Sequence, residues 1–116
     1  MVKNAPQWDI WYYVAEDKTK PFEGFIEKLK TKEEQKTCSS LIEFLRLRGD
    51  KLYDLQHLTY TEGLRLPLHE IREGRVRIFF ICDGDLVVVI DGLLPTQGEE
   101  FFLEIYRRAK DYANHD

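Results

Sequence analysis

The stretch LRLPLHEIREGRVRIFFICDGDLVVVIDGL, residues Leu64–Leu93, carries the decisive pattern of this chain. Three extended, largely apolar runs are separated there by Glu73-Gly74 and Asp83-Gly84. A two-residue link containing Gly is the favoured hairpin turn, because Gly tolerates a positive φ. With those dipeptides as turns, Arg72 faces Arg75, Ile71 faces Val76, Glu70 faces Arg77 and Leu68 faces Phe79. The second hairpin then sets Phe79 against Val88 and Arg77 against Ile90. Cross-strand partners share a face. Leu68, Glu70, Arg72, Arg75, Arg77, Phe79, Ile81, Val88 and Ile90 are therefore expected on one side. His69, Ile71, Val76, Ile78, Phe80, Val87, Val89 and Asp91 are expected on the other. A bulge would shift this assignment by one residue.

Three guanidinium groups and the Glu70 carboxylate on one sheet face suit the holding of a phosphate. The same charges also suit a strand end projecting into water. Like charges directly opposed cost at most about 1 kcal/mol, which Glu70, Glu73 or an anionic ligand would relieve. Both readings stay open on the residues alone.

At 116 residues the chain is expected to form one domain, residues 1–116. An apolar content of 43%, with 13% aromatic residues, excludes disorder. No apolar run approaches the roughly 20 residues a membrane-spanning helix needs. Met1–Gln7 lacks the charged-then-apolar pattern of an export signal, which makes the cytoplasm the expected compartment. Cys38 and Cys82 have neither metal spacing nor a secretory setting and are expected as buried free thiols. A net charge of -4 argues against a protein that tracks nucleic-acid duplexes. The acidic excess lies in the second half, so the arginines sit in acidic surroundings that weaken their pull at a distance.

Outside the hairpins, Asp9–Val14 (DIWYYV) reads as a first strand. Pro21–Leu29 reads as a helix, with Phe22, Phe25, Ile26 and Leu29 at helical spacing and Pro21 in its first turn. A second helix opens on the capping-box pattern Thr31-Lys32-Glu33-Glu34. Its apolar stripe is Cys38, Leu41, Ile42 and Leu45; it runs to about Arg48 and stops at Gly49. Asp50–Gly63 carries little pattern and reads as a connection. A last helix follows Thr96-Gln97-Gly98-Glu99, also a capping-box pattern, with Phe102, Ile105 and Ala109 inside and Arg107, Arg108 and Lys110 outside. Leu86–Ile90 (LVVVI), apolar on both sides, suits a central strand. The expected architecture is α+β: a sheet with a helical pair packed on it and an open face carrying the arginines.

In order and spacing, several segments resemble the HigB-like, phage-derived branch of the RelE/ParE toxins. They are Pro21-Phe22-Glu23-Gly24-Phe25, Leu68-His69-Glu70-Ile71-Arg72, Arg77-Ile78-Phe79-Phe80, Asp83–Gly92, Thr96-Gln97 and Arg108-Ala109-Lys110-Asp111-Tyr112. The resemblance covers most of the chain. It implies a RelE-like fold: an antiparallel-rich twisted sheet, the N-terminal helical pair on one face, and a C-terminal helix. It further implies the toxin of a type II toxin-antitoxin system, an endoribonuclease (mRNA interferase) that cleaves mRNA without metal or cofactor, commonly on the ribosome. The implied partners are mRNA and a cognate helix-turn-helix antitoxin of the HigA-like kind, with no membrane.

Carried onto this sequence, the resemblance makes Arg72 and Arg77 the phosphate stabilisers and Glu70 the group that orients Arg77. His57 is the candidate for proton transfer, and Arg75, Arg65 and Gln97 are candidate RNA-binding residues. Cleavage needs a base for the 2′-hydroxyl proton, cations beside the crowded phosphate and an acid for the leaving 5′-oxygen. The chain departs from the family pattern at Leu94-Pro95, where relatives carry a Lys pair, and at His69, where they carry Trp. His69 reads as a partly buried structural residue, and His57 equally as a solvated loop residue or a catalytic one. A non-catalytic protein of the same fold is the alternative, acting on a gyrase-type target or as an antitoxin-binding corepressor.

Overall fold

A computed structural model describes residues 8–48 and 56–114. The elements are β1 (Asp9–Tyr12), α1 (Pro21–Glu27), α2 (Lys32–Arg48), β2 (Gln56–Tyr60), β3 (Leu68–Glu73), β4 (Val76–Asp83), β5 (Leu86–Leu93) and α3 (Glu99–Ala113). They build an α+β domain around one five-stranded mixed sheet of order β1-β5-β4-β3-β2. β2 to β5 pair antiparallel in succession, and β1 returns parallel to β5, with Asp9 beside Leu86. The expected helix stop at Gly49 lies outside the described residues. None of the described helices is long and apolar enough to cross a membrane.

Both hairpins form, with turns one residue later than expected. Gly74-Arg75 and Gly84-Asp85 are the linking pairs, and Gly74 and Gly84 have φ of 57° and 65°. Gly thus takes the first central position, the pattern of a type II′ turn, rather than the second. Each register moves by two: Arg72 pairs with Arg77, Glu70 with Phe79 and Leu68 with Ile81, while Ile81 pairs with Val88. A two-residue shift leaves every side chain on its original face, so the face assignment holds although the pairings change. Arg75 does not face Arg72; it occupies the turn.

A bulge does what a turn shift could not. Phe80 pairs with Val89 but Phe79 pairs with Asp91, so Ile90 is an extra residue in β5. Beyond it the faces exchange, and Asp91 lands on the arginine side, not the side opposite.

The helical pair packs on the predicted face. Phe22, Phe25, Leu29, Cys38, Leu41 and Leu45 meet Ile71, Val76, Ile78, Phe80, Val87 and Val89. α2 starts as its pattern predicts, with the Thr31 hydroxyl accepting the Glu34 N–H at 3.1 Å. The arginine face is not open. α3 lies on it, sending Ile105, Ala109 and Ala113 against Leu68, Phe79, Ile81, Val88 and Ile90. α3 has no side-chain cap: Gly98 is its N-cap, and Gln97 turns back so that its Oε1 accepts the Leu94 N–H at 2.8 Å. Arg108, expected outside, is drawn inward to the bulged Asp91, 2.8 Å away. Cys38 is buried, and burial pushes its thiol up to about 11; Cys82 is only half-buried.

The segment Asp50–Gly63 is not a plain connection, since β2 within it forms the sheet edge. Its polar residues on both faces leave no alternation to read, and Leu58 is itself exposed.

α1 approaches β5 where Gly92 has no side chain. A Cβ built there would lie 2.4 Å from the buried Phe25 ring, which would have to shift to admit it. Gly92→Ala is expected to destabilise the fold by about 1–3 kcal/mol. Gly24→Ala, where an added Cβ meets nothing within 4 Å, should instead stabilise α1 by roughly 0.5–1 kcal/mol. Urea denaturation of the two variants checks the contrast.

Candidate anion-binding site

β3 and β4 carry Arg72 and Arg77 as direct cross-strand partners, and Glu70 lies two residues before Arg72 on the same face. Glu70 is 1% exposed, so its carboxylate needs partners to remain ionised. It has three. Arg77 clasps it with Nε at 2.7 Å and Nη2 at 3.1 Å, Arg72 donates from Nη2 at 3.0 Å, and the Tyr60 hydroxyl donates at 2.7 Å. Burial pushes the Glu70 carboxyl up, but hydrogen bonds from Arg77, Tyr60 and Arg72 outweigh it and hold the group below its ordinary value. Tyr60 moves the other way, raised to about 12 by burial and by its bond to Glu70.

Aromatic rings close the site on the α3 side. The Arg77 guanidinium stands 5.4 Å from the centre of the Phe79 ring, and Phe102 packs on Phe79 and Tyr60 at 5.7 Å and 5.2 Å. These contacts limit the freedom of Tyr60 and Arg77. The two arginine side chains are not fully covered, with 34% of the Arg72 side chain and 24% of the Arg77 side chain accessible. Two cations against one anion leave the cluster one positive charge in excess. A guanidinium has five N–H donors, and Glu70 uses only some of those available. Arg72 Nε is buried without a partner among the described residues. The arrangement can receive a phosphate or carboxylate oxygen, with Glu70 holding both forks in place. Glu70 itself, kept ionised, has no proton to give near neutral pH.

The other residues singled out from the sequence lie elsewhere. His57 is on β2 as the partner of Ile71, which puts it on the helical-pair face, opposite Arg72 and Arg77. Proton transfer by His57 at the arginine pair is therefore not what the geometry provides. Arg75 reaches from its turn toward Glu34 of α2, Nε to Oε2 3.4 Å. Arg65 sits at the C-terminal end of α3, its backbone N–H donating to Asn114 at 3.0 Å. Gln97 is occupied in the turn before α3. Of the seven residues, only Glu70, Arg72 and Arg77 come together.

Tyr60 and the Asp91–Arg108 pair escape the sequence. Tyr60 belongs to the edge strand that lacked alternation, and Asp91 reaches Arg108 only through the bulge. Among the described residues, no three His, Cys, Asp or Glu side chains are grouped to hold a metal ion.

The two buried carboxylates respond to acid with opposite signs. Glu70 has a depressed folded-state pKa, so its stabilisation is complete above the unfolded carboxyl value, about 4.3, and is lost as pH falls through the folded value. Asp91 is raised by burial despite the Gly92 N–H and Arg108, so its contribution is present at low pH and lost as pH rises through its folded value. Glu70→Gln should cost roughly 1–3 kcal/mol near neutral pH, and the gap to the unaltered chain should close on acidification. Chemical denaturation between neutral pH and pH about 3 measures that gap. Compared with protein-family models and with curated proteins, the chain matches none.

Proposed function

We propose that this chain is the toxin of a type II toxin-antitoxin pair, with a RelE-like fold, and that it cleaves mRNA at the arginine pair. The observation that carries this reading is the meeting of Arg72 and Arg77 across β3 and β4 on one buried carboxylate, with part of each arginine side chain accessible. The architecture supports it too. An antiparallel-rich sheet, a helical pair from the first half of the chain on one face and a last helix agree with what the resemblance implied.

In the proposed reaction the 2′-hydroxyl oxygen attacks the neighbouring phosphorus, and the bond to the 5′-oxygen breaks. A 2′,3′-cyclic phosphate and a 5′-hydroxyl result. Arg72 and Arg77 offset the charge that builds on the phosphoryl oxygens, and Glu70 keeps Arg77 aimed while the site is empty. With His57 on the far face, solvent takes the 2′-hydroxyl proton and returns one to the leaving oxygen. The work would lie in the cytoplasm, with mRNA, free or on the ribosome, as substrate. A helix-turn-helix antitoxin would cover the arginine pair with acidic side chains.

One observation favours the non-catalytic alternative. Both guanidiniums are already engaged by Glu70, and the imidazole expected beside them is absent from that face among the described residues. A site so arranged would bind an anion without an internal base.

Induction in a bacterial host is expected to arrest growth and to leave messages cut with 2′,3′-cyclic phosphate ends. Arg77→Ala and Arg72→Ala should each lower the cleavage rate by about 10²–10³-fold, read by primer extension on a reporter message. Growth arrest with intact messages would replace the ribonuclease by the non-catalytic reading.

A further inference from the structure

β1 forms one edge of the sheet, and only one of its sides is paired. The Asp9 and Tyr13 N–H groups donate to the carbonyls of Asp85 and Val89 at 3.3 and 2.9 Å, so alternate residues turn their main-chain groups toward β5. Ile10 and Tyr12, between them, turn theirs to the open edge, where no described strand lies. Edge strands are ordinarily blunted by charge or proline, and Ile10–Val14 (IWYYV) carries neither. β2, at the opposite edge, is polar at Gln56, His57 and Thr59.

Apolar surface flanks the β1 edge on both faces of the sheet. On the α3 face, Trp11, Tyr13, Leu66, Val88 and Tyr112 line a groove of about 990 Å³. On the helical-pair face, Tyr12, Val14, Phe22 and Ile26 line another of about 410 Å³, with the Tyr12 ring stacked on Phe22. The two grooves meet along Tyr12, Tyr13 and Val14. Trp11 is 64% exposed, and Tyr12, Val14 and Ile26 are exposed as well. The ends of the strand are acidic, with Asp9, Asp83 and Asp85 at its start and Glu16 and Asp111 past its end. Neutral hydroxyls of Tyr112 and Tyr13, at 3.1 and 2.5 Å, are the hydrogen-bond partners of Asp83 and Asp111 among the described residues. Lys18 and Arg65 on the α3-side groove are fewer than these carboxylates.

We infer that β1 is the docking edge for an extended, basic segment of a partner protein, which joins the sheet as an added strand. Side chains of an added strand alternate between the two faces, and each face offers an apolar groove. The segment is therefore apolar in its middle, with lysine or arginine at its ends to meet the acids. Main-chain bonds to Ile10 and Tyr12 supply the pairing, while the grooves and the carboxylates supply the choice of partner. The same charges disfavour a second copy of this chain: antiparallel self-pairing sets the Asp9 end of one copy against the Glu16 end of the other, acid on acid. β5 separates this edge from the arginine-bearing β4 and β3, and docking here is independent of the proposed ribonuclease function.

The probe is a capped peptide of four branched apolar residues between two lysine pairs, titrated into the isotope-labelled full chain. Saturable binding is expected, with the Ile10 and Tyr12 amide signals moving and gaining protection from hydrogen exchange. Glutamates in place of the peptide's lysines should weaken binding at least about ten-fold. Trp11→Lys should weaken binding of the lysine peptide by a similar factor, about ten-fold. Tyr12→Pro removes a donor from the open edge and none from the β5 ladder, and should abolish binding. Leu103→Lys, at an exposed apolar residue on α3, should leave it unchanged. Circular dichroism establishes that the variants fold; Trp11→Lys, at the most exposed of these positions, carries the test if Tyr12→Pro does not. Unmoved Ile10 and Tyr12 signals at millimolar lysine peptide would overturn the docking edge, as would undiminished affinity in folded Trp11→Lys. Equal affinity for the glutamate peptide would overturn the basic partner. A dimer of the unaltered chain in sedimentation, dissolved by Trp11→Lys, would overturn it in favour of a second copy.

Discussion

The buried carboxylate of Glu70 is the constraint around which the arginine end of the molecule is arranged. An ionised carboxyl in an apolar layer is tolerated only when its lone pairs are occupied by strong donors. Three segments deliver those donors: β2 with Tyr60, β3 with Arg72 and β4 with Arg77. The register of three strands is thereby tied to one group. Either pairing shifted by one residue would carry a donor to the other face and leave the charge uncompensated.

The same carboxylate keeps the site partly neutral at rest. Arg72 and Arg77, as direct partners, would otherwise repel across the hairpin. Glu70 removes that repulsion and fixes the forks in a common orientation, so little side-chain freedom remains to be lost when an anion arrives. The aromatic packing of Phe79, Phe102 and Tyr60 adds to this rigidity from the α3 side. Asp91 and Arg108 form a second, partly buried ion pair on the same face, joining the bulge in β5 to α3.

Much of this architecture was legible, for identifiable reasons. The periodicities of Phe22–Leu29 and Cys38–Leu45 marked the helical pair, and Thr31 marked the start of α2, because local chemistry decides them. The arginine face was readable despite a misplaced turn, since moving a turn by one residue changes the register by two. Illegible features had non-local causes. β2 is recognisable only by its partner, as an edge strand wet on both sides has no alternation. The bulge at Ile90 has no local signature in a run of branched apolar residues. The resting place of His57, and with it the membership of the site, followed from β2. The inward turn of Arg108 followed from the bulge.

The parallel pairing of β1 with β5 bears on how the chain comes off the ribosome. Among the described residues β1 has no other neighbour in the sheet, and its partner β5 is made only after everything between Tyr12 and Leu86. Until then Trp11 and Tyr12, exposed even in the finished fold, belong to a strand with nothing to pair with. Closure of the sheet by β1 therefore waits on the synthesis of β5, which makes it a late step among the described strands.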